Sequence, residues 1–201
     1  VFLENAITRV PVMADAEVLR YLVGPESFTP DNNYILGEAP ELRNFFVAAG
    51  FNSSGIAAAA GAGKALAEWI IEGHPTLDLW DVDIRRFHQH QNNATYLYDR
   101  TVERLGTLYS IHWPQLQPET ARDARHSPLH ERLAVRGACF GVAAGWERPN
   151  WYAPDGVEPV YKYSYDRQNW FDYSAEEHRA CRENVALFDQ SSFVKYIFRG
   201  R

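Results

Sequence analysis

The sequence predicts an α+β protein, in which short strands and helices follow one another without the regular alternation of a βαβ series. Three observations carry that expectation. A compact apolar run at residues 45–49 leads through Gly50-Phe51-Asn52-Ser53-Ser54-Gly55 into an alanine-rich stretch of helical periodicity. A second helical period passes through Tyr98, Val102, Leu105 and Tyr109. Further on, Ser174 and Glu177 form an S-x-x-E capping box ahead of a strand-like run at residues 193–198.

In chain order, residues 18–23 read as a short strand closed by Gly24 and Pro25, and residues 27–33 supply turn-forming side chains, giving a strand–turn–strand unit. Residues 45–49 suit a strand buried on both faces. In the helix that follows, Ile56, Ala59, Ala60, Gly63, Leu66, Ala67 and Ile70 recur every three to four residues and mark the expected buried face. Ser53 or Ser54 is placed to cap its start, and Gly73 followed by Pro75 stops it. Asp78, Asp81 and Asp83 ahead of Arg85 and Arg86 suit the dipole of a short helix. The next helix begins near Asn93, buries Tyr98, Val102, Leu105 and Tyr109, and ends close to Gly106 or shortly after. Residues 111–125, with Pro114 and Pro118, read as irregular connection, and the aromatic-rich residues 145–151 as a packed loop. The last helix runs from the capping box to about Leu187, and the strand at 193–198 has little sequence left to pair with, which implies a further domain beyond it.

With 201 residues, 46% of them apolar and 14% aromatic, the chain has material for one respectable core or two small ones. The formal charge of -6 comes from interspersed acids and bases, with no basic stripe to neutralise phosphates, so nucleic acid is not an expected partner. Cys139 and Cys181 form no C-x-x-C pattern, which favours a reducing compartment. No run approaches the ~18 apolar residues of a membrane span, so no membrane is expected. The opening VFLENAITRV lacks the zones of a signal peptide; it also lacks Met, so Val1 need not be the biological start.

The most informative feature is the strand–turn–helix unit, because a helix start offers unpaired N–H groups and partial positive charge to an anion or an electron-rich ring edge. Small residues at Ser53, Ser54 and Gly55 allow close approach to the backbone. Gly55, Gly61 and Gly63 equally suit tight helix–strand packing, and the residues alone leave both readings open. No G-x-G-x-x-G fingerprint and no ribose-binding acid accompany the unit, so the adenosine half of a dinucleotide has no visible site. His126 and His130 are four apart, but Pro128 intervenes and no third ligand is evident, which argues against a metal. His88 and His90, two apart, are expected on different sides of a helix and solvated. Ser191 and Ser192 lack a nucleophile elbow, and neither cysteine has a setting that lowers its pKa. Asp81 with Asp83, and Glu176 with Glu177, read as residues of helix first turns, not as an acid–base pair.

Six stretches carry a resemblance: GPESFTPD (24–31), LGEAPELRNFFVAAGFNSSGI (36–56), GKALAEWI (63–70), DLWDVDIRRF (78–87), GWERPNW (145–151) and ALFDQSSFVKY (186–196). Through them nearly the whole chain resembles the sarcosine and dimethylglycine dehydrogenase family with its bacterial oxidase relatives. The resemblance implies the end of an FAD-dependent oxidoreductase domain over residues 1–75, a central connecting domain over 76–158, and the start of an aminomethyltransferase-like domain over 159–201. It implies oxidative demethylation of a small N-methyl amine, with hydride passing to the flavin and the one-carbon unit to tetrahydrofolate. It further implies that Asn52, Ser53, Ser54, Gly55 and Ile56 lie against the isoalloxazine ring, where a helix amino end stabilises the negative charge of the reduced ring.

The family's Rossmann fingerprint, substrate-facing residues and folate-binding aspartate have no counterpart in this chain, so no catalytic residue is assigned and the folate site is expected outside it. The chain alone is expected neither to hold the flavin tightly nor to oxidise an amine. The resemblance admits an electron-acceptor protein as a partner, and the family's habit implies the mitochondrial matrix in a eukaryote or the cytoplasm in a bacterium. Two other expectations stand beside this one: a non-catalytic homologue resembling the pyruvate dehydrogenase phosphatase regulatory subunit, and a self-standing interaction module.

Overall fold

The computed structural model describes residues 2–200. Its elements run α1 (Phe2–Arg9), a 3-10 turn (Pro11–Asp15), β1 (Ile35–Glu38), β2 (Phe46–Ala49), α2 (Gly55–Glu72), two 3-10 turns (Ile84–Arg86 and Gln89–Gln91), α3 (Ala94–Thr107), α4 (His130–Val135), β3 (Ala138–Ala143), β4 (Trp146–Tyr152) and α5 (Phe171–Glu183). This is the mixed helix and small-sheet organisation the sequence predicts. Among the described residues no helix is long and apolar enough to cross a membrane.

The first half is organised around β1. It pairs antiparallel with β2 from Ile35 opposite Ala49 to Glu38 opposite Phe46, and Leu36 forms a parallel bridge to Asp83 through its N–H on the Val82 carbonyl at 2.8 Å. Leu36 is fully buried against Ala62 and Ala65 of α2, with Tyr34, Phe51, Leu66, Leu79 and Val82 around them. Gly37 (φ 119°) is required where it stands, since a Cβ there would lie 2.6 Å from the ring of Trp69, itself 3% exposed. Gly73, left-handed at φ 76°, ends α2 as expected, its N–H on the Trp69 carbonyl.

The second half is a β3–β4 hairpin joined by Ala144 (φ 49°) and Gly145 (φ 76°), two left-handed residues that match the twist of the strands they connect. A bulge between Cys139 and Phe140 lets Pro149 stand in β4, since an irregular ladder does not need the missing N–H. Trp151 is fully buried with Cys139 and Ala153 and stacks on Tyr173 of α5 at 5.7 Å. This cluster also takes in Val157, Tyr161 and Trp170, so it runs across residues 158 and 159.

Several sequence expectations are corrected. Residues 18–23 form no strand: no described segment pairs with them, and Leu19 and Val23 stand 95% and 86% exposed. The strand partner of β2 is β1 instead. Residues 46–49 are half-buried to exposed, not buried on both faces. On α2 the buried residues are Ala62, Ala65 and Trp69, and of the expected face only Leu66 joins the core. In a helix so rich in alanine nearly every face is apolar, and the one that closes on Leu36 is chosen by Trp69. The face of α3 expected to be buried is turned outward, with Tyr98 70% exposed, while Arg100 is buried. Residues 145–151 are largely strand, not loop. Ser174 lies inside α5, which starts at Phe171 and ends at Glu183, so the capping box is not used. The strand expected at residues 193–198 does not form: residues 194–198 have no regular secondary structure and pair with no described strand.

Candidate functional site

The turn from β2 into α2 is built on left-handed backbone. Gly50 (φ 64°), Asn52 (φ 49°) and Ser53 (φ 63°) reverse the chain within four residues. A Cβ on Gly50 would lie 2.6 Å from Thr29 Cγ2, which leaves no alternative there. Asparagine tolerates this conformation better than most residues, whereas serine at positive φ is strained by about 1 kcal/mol or more.

Asn52 holds the turn in place. It is 3% exposed, and its Oδ1 accepts from the Thr29 N–H at 2.8 Å while its Nδ2 donates to the Gly50 carbonyl at 2.7 Å and to Thr29 Oγ1 at 3.0 Å. Its own N–H donates to the Ser27 carbonyl. Two stretches distant in sequence, GPESFTPD and GFNSSGI, are thereby clasped together. The first is anchored again where Arg86 forks onto Asp31, Nε to Oδ2 at 2.7 Å and Nη2 to Oδ1 at 3.0 Å. Bidentate geometry of this kind fixes orientation as well as distance.

The amino end of α2 is left open. Ser54 occupies the capping position, but its hydroxyl turns back to the Asn52 carbonyl at 3.4 Å and no side chain caps the helix. Ser53 and Ser54 are exposed, Gly55 is half-buried, and Ile56 is 100% exposed. A Cβ at Gly55 would meet only Phe51, at an ordinary 3.6 Å. The packing role open to Gly61 and Gly63 is not realised among the described residues, since a Cβ at either meets nothing within 4 Å. Of the five candidates, four therefore surround a helix end with free N–H groups, and the fifth, Asn52, spends its side chain on the scaffold. The donor set and the absence of side chains over it fit the edge of a planar, electron-rich group.

The remaining candidates resolve differently. His88 and His90 are not on opposite sides: the 3-10 turn Gln89–Gln91, which His88 precedes and His90 belongs to, brings their rings into a stack at 5.8 Å, and both are partly buried. Burial, with Arg125 and His88 nearby, lowers the pKa of His90. Asp83 is 4% exposed and serves as the N-cap of its 3-10 turn, accepting from the Arg85 N–H at 2.8 Å. Sequence reasoning missed the Arg122–Glu147 pair, in which Arg122 Nε and Nη2 reach the 3%-exposed Glu147 carboxylate at 2.9 and 2.6 Å.

A family model described as FAD dependent oxidoreductase matches residues 1–69, the FAD dependent oxidoreductase central domain matches 72–127, and the GCVT N-terminal domain matches 129–201. The chain is 58% identical to 4-methylaminobutanoate oxidase (formaldehyde-forming) of Paenarthrobacter nicotinovorans over 95% of its own length and 23% of that relative. It is 39% identical to human mitochondrial sarcosine dehydrogenase over 98% of the chain and 24% of the relative. It is also 36% identical to the mouse mitochondrial pyruvate dehydrogenase phosphatase regulatory subunit, over 96% of the chain and 22% of that protein. The chain thus spans about a quarter of the length of these relatives. With three family models in one unbroken order and relatives that align over nearly the whole chain, the chain belongs to the sarcosine and dimethylglycine dehydrogenase family, of which it represents one stretch.

Proposed function

We propose that this chain forms one wall of the flavin site in an FAD-dependent oxidoreductase that demethylates a small N-methyl amino acid. The observation that carries the reading is the uncapped, open amino end of α2 in a chain whose first 69 residues match an FAD dependent oxidoreductase. A bound flavin would supply the hydride-accepting ring. The residues of the chain do the rest: the N–H groups at the start of α2 face the site where negative charge builds during reduction, Ser53, Ser54 and Gly55 permit close approach, and Asn52 keeps the turn from relaxing. Removing one preorganised donor from an oxyanion hole costs about 3 kcal/mol, which sets the scale for such an arrangement.

Substrate preference has two readings. Sarcosine or dimethylglycine, with transfer of the one-carbon unit to tetrahydrofolate and electrons leaving to an acceptor protein, follows the dehydrogenases. The 58% identity to the bacterial oxidase favours 4-methylaminobutanoate and release of formaldehyde. Assay of the full-length protein on sarcosine, dimethylglycine and 4-methylaminobutanoate, with and without tetrahydrofolate, separates them by formaldehyde yield. Turnover of none, with flavin bound or absent, would favour a regulatory homologue, a reading supported by the 36% identity to the phosphatase subunit. The compartment follows the host: mitochondrial matrix in a eukaryote, cytoplasm in a bacterium. The site itself is tested by Gly55→Leu in the full-length protein, which is expected to lower flavin occupancy with the helix content unchanged. Undiminished occupancy removes Gly55 from the site.

A further inference from the structure

Three metal-ligating side chains meet at the junction of the two halves, away from the flavin-facing turn. Asp123, His126 and His130 each offer a ligand atom, and these atoms all lie within 4.8 Å of one another. His126 Nε2 is 3.2 Å from Asp123 Oδ1. The rings of His126 and His130 stack at 3.7 Å with planes 2° apart, and His130 stacks in turn on Phe140 of β3 at 4.1 Å.

Pro128 rules out the helical spacing that usually brings such a pair together, and the structure achieves the approach by another route. His130 is the first residue of α4, and His126 lies in the segment before it. A turn closed by the His130 N–H on the Ser127 carbonyl at 3.1 Å, and by the Leu129 N–H on Ser127 Oγ at 3.2 Å, folds one ring over the other. Asp123 enters from a left-handed turn (φ 61°), its N–H held on Glu147 Oε1 at 2.9 Å.

Two facts distinguish this cluster from a chance grouping on the surface. The Nδ1 of His130 is buried and has no hydrogen-bond partner among the described residues, whereas buried polar atoms nearly always have one. The backbone carrying Asp123 is fixed by the buried Glu147 carboxylate and its partner Arg122, so the carboxylate of Asp123 is presented from a rigid base, as metal ligands are. We propose that Asp123, His126 and His130 bind a divalent transition-metal ion of the zinc type, with water completing the coordination. Two imidazoles and one carboxylate are a donor set that suits this class of ion.

Metal–ligand distances of about 2.0–2.2 Å put tetrahedral ligand atoms roughly 3.4 Å apart, so the cluster contracts when the ion binds. Parallel rings do not converge their lone pairs, and His126, with its side chain 35% exposed, is the ring free to swing out of the stack. His130 stays, held against Phe140. The bound ion would fasten the last residues of the central-domain match to α4, across the point where one family model ends at residue 127 and the next begins at 129.

The test uses the full-length protein, purified through a chelator and titrated at neutral pH with Co2+ alone and then with Zn2+. Saturable Co2+ binding with visible ligand-field absorption, displaced by Zn2+, is expected. His126→Gln and Asp123→Asn should each weaken it by roughly tenfold or more, and His130→Ala should abolish the absorption. His126→Gln changes an exposed ring and Asp123→Asn an exposed carboxylate, so both are expected to keep the native circular dichroism even where His130→Ala does not. Absence of saturable binding in the parent protein, or an unchanged Co2+ spectrum in natively folded His126→Gln and Asp123→Asn, would overturn the proposal.

Discussion

Glu147 shows how much one side chain carries here. Burial by itself would push its carboxyl up, but the Arg122 guanidinium and the Asp123 N–H outweigh that and hold it below the usual carboxylate range. A folded-state pKa below the unfolded one means that the pair contributes its full stability above the unfolded value and loses it as pH falls through the folded value. The protein is therefore expected to lose stability on acidification below the ordinary glutamate range, and Glu147→Gln should flatten that part of the profile. Removing the carboxylate leaves the partly buried Arg122 charge without its partner, so the variant should also unfold earlier in urea at neutral pH. An acid limb as steep in the variant as in the parent protein would refute this role for Glu147. The motif GWERPNW is legible in the sequence as distinctive, yet nothing in it says that its glutamate is buried. Burial is decided by Arg122, twenty-five residues away.

At the scale of elements, the ends of helices separate what local sequence can specify from what it cannot. Asn93 was expected to mark the start of α3 and does so, its Oδ1 accepting from the Tyr96 N–H at 2.9 Å. That signal is local, because the side chain and the N–H it satisfies are three residues apart. Ser174 with Glu177 has the same local form, but α5 begins at Phe171, and Glu177 instead accepts from the Tyr152 N–H of β4 at 2.8 Å. Tertiary contact overrides the capping box. Asn93→Ala is accordingly expected to cost about 1 kcal/mol, whereas Ser174→Ala should be neutral or slightly stabilising. Equal losses in thermal unfolding would restore Ser174 as a cap. The β3–β4 hairpin was hidden for a similar reason. Ala144-Gly145 is a weaker turn signal than Asn-Gly, and Pro149 argues against a strand until the bulge that accommodates it is known.

For the whole molecule, exposed area is the governing quantity. A compact monomer of 23.0 kDa is expected to expose about 9,600 Å², whereas this chain exposes 15474 Å². Its apolar interior is divided between the cluster on Leu36 and the one on Trp151. Ile56 and Ile71 on α2, and Val185, Leu187, Ile197 and Phe198 after the last helix region, stand at least three-quarters exposed. The sequence has the apolar content for a respectable core, but content does not reveal how much of it this stretch can bury by itself. At about 25 cal/mol per Å² of apolar surface, burying such side chains is a large part of what offsets the entropy of ordering a chain. The isolated 201 residues are therefore expected to bind a hydrophobic dye and to unfold in urea with a shallow, probe-dependent transition. The full-length protein should show neither property for these same residues, because a longer polypeptide has the means to cover them. Sharp, coincident two-state unfolding of the isolated chain by fluorescence and circular dichroism, without dye binding, would instead establish a self-standing module and remove the physical reason for regarding α2 as a wall that needs partners.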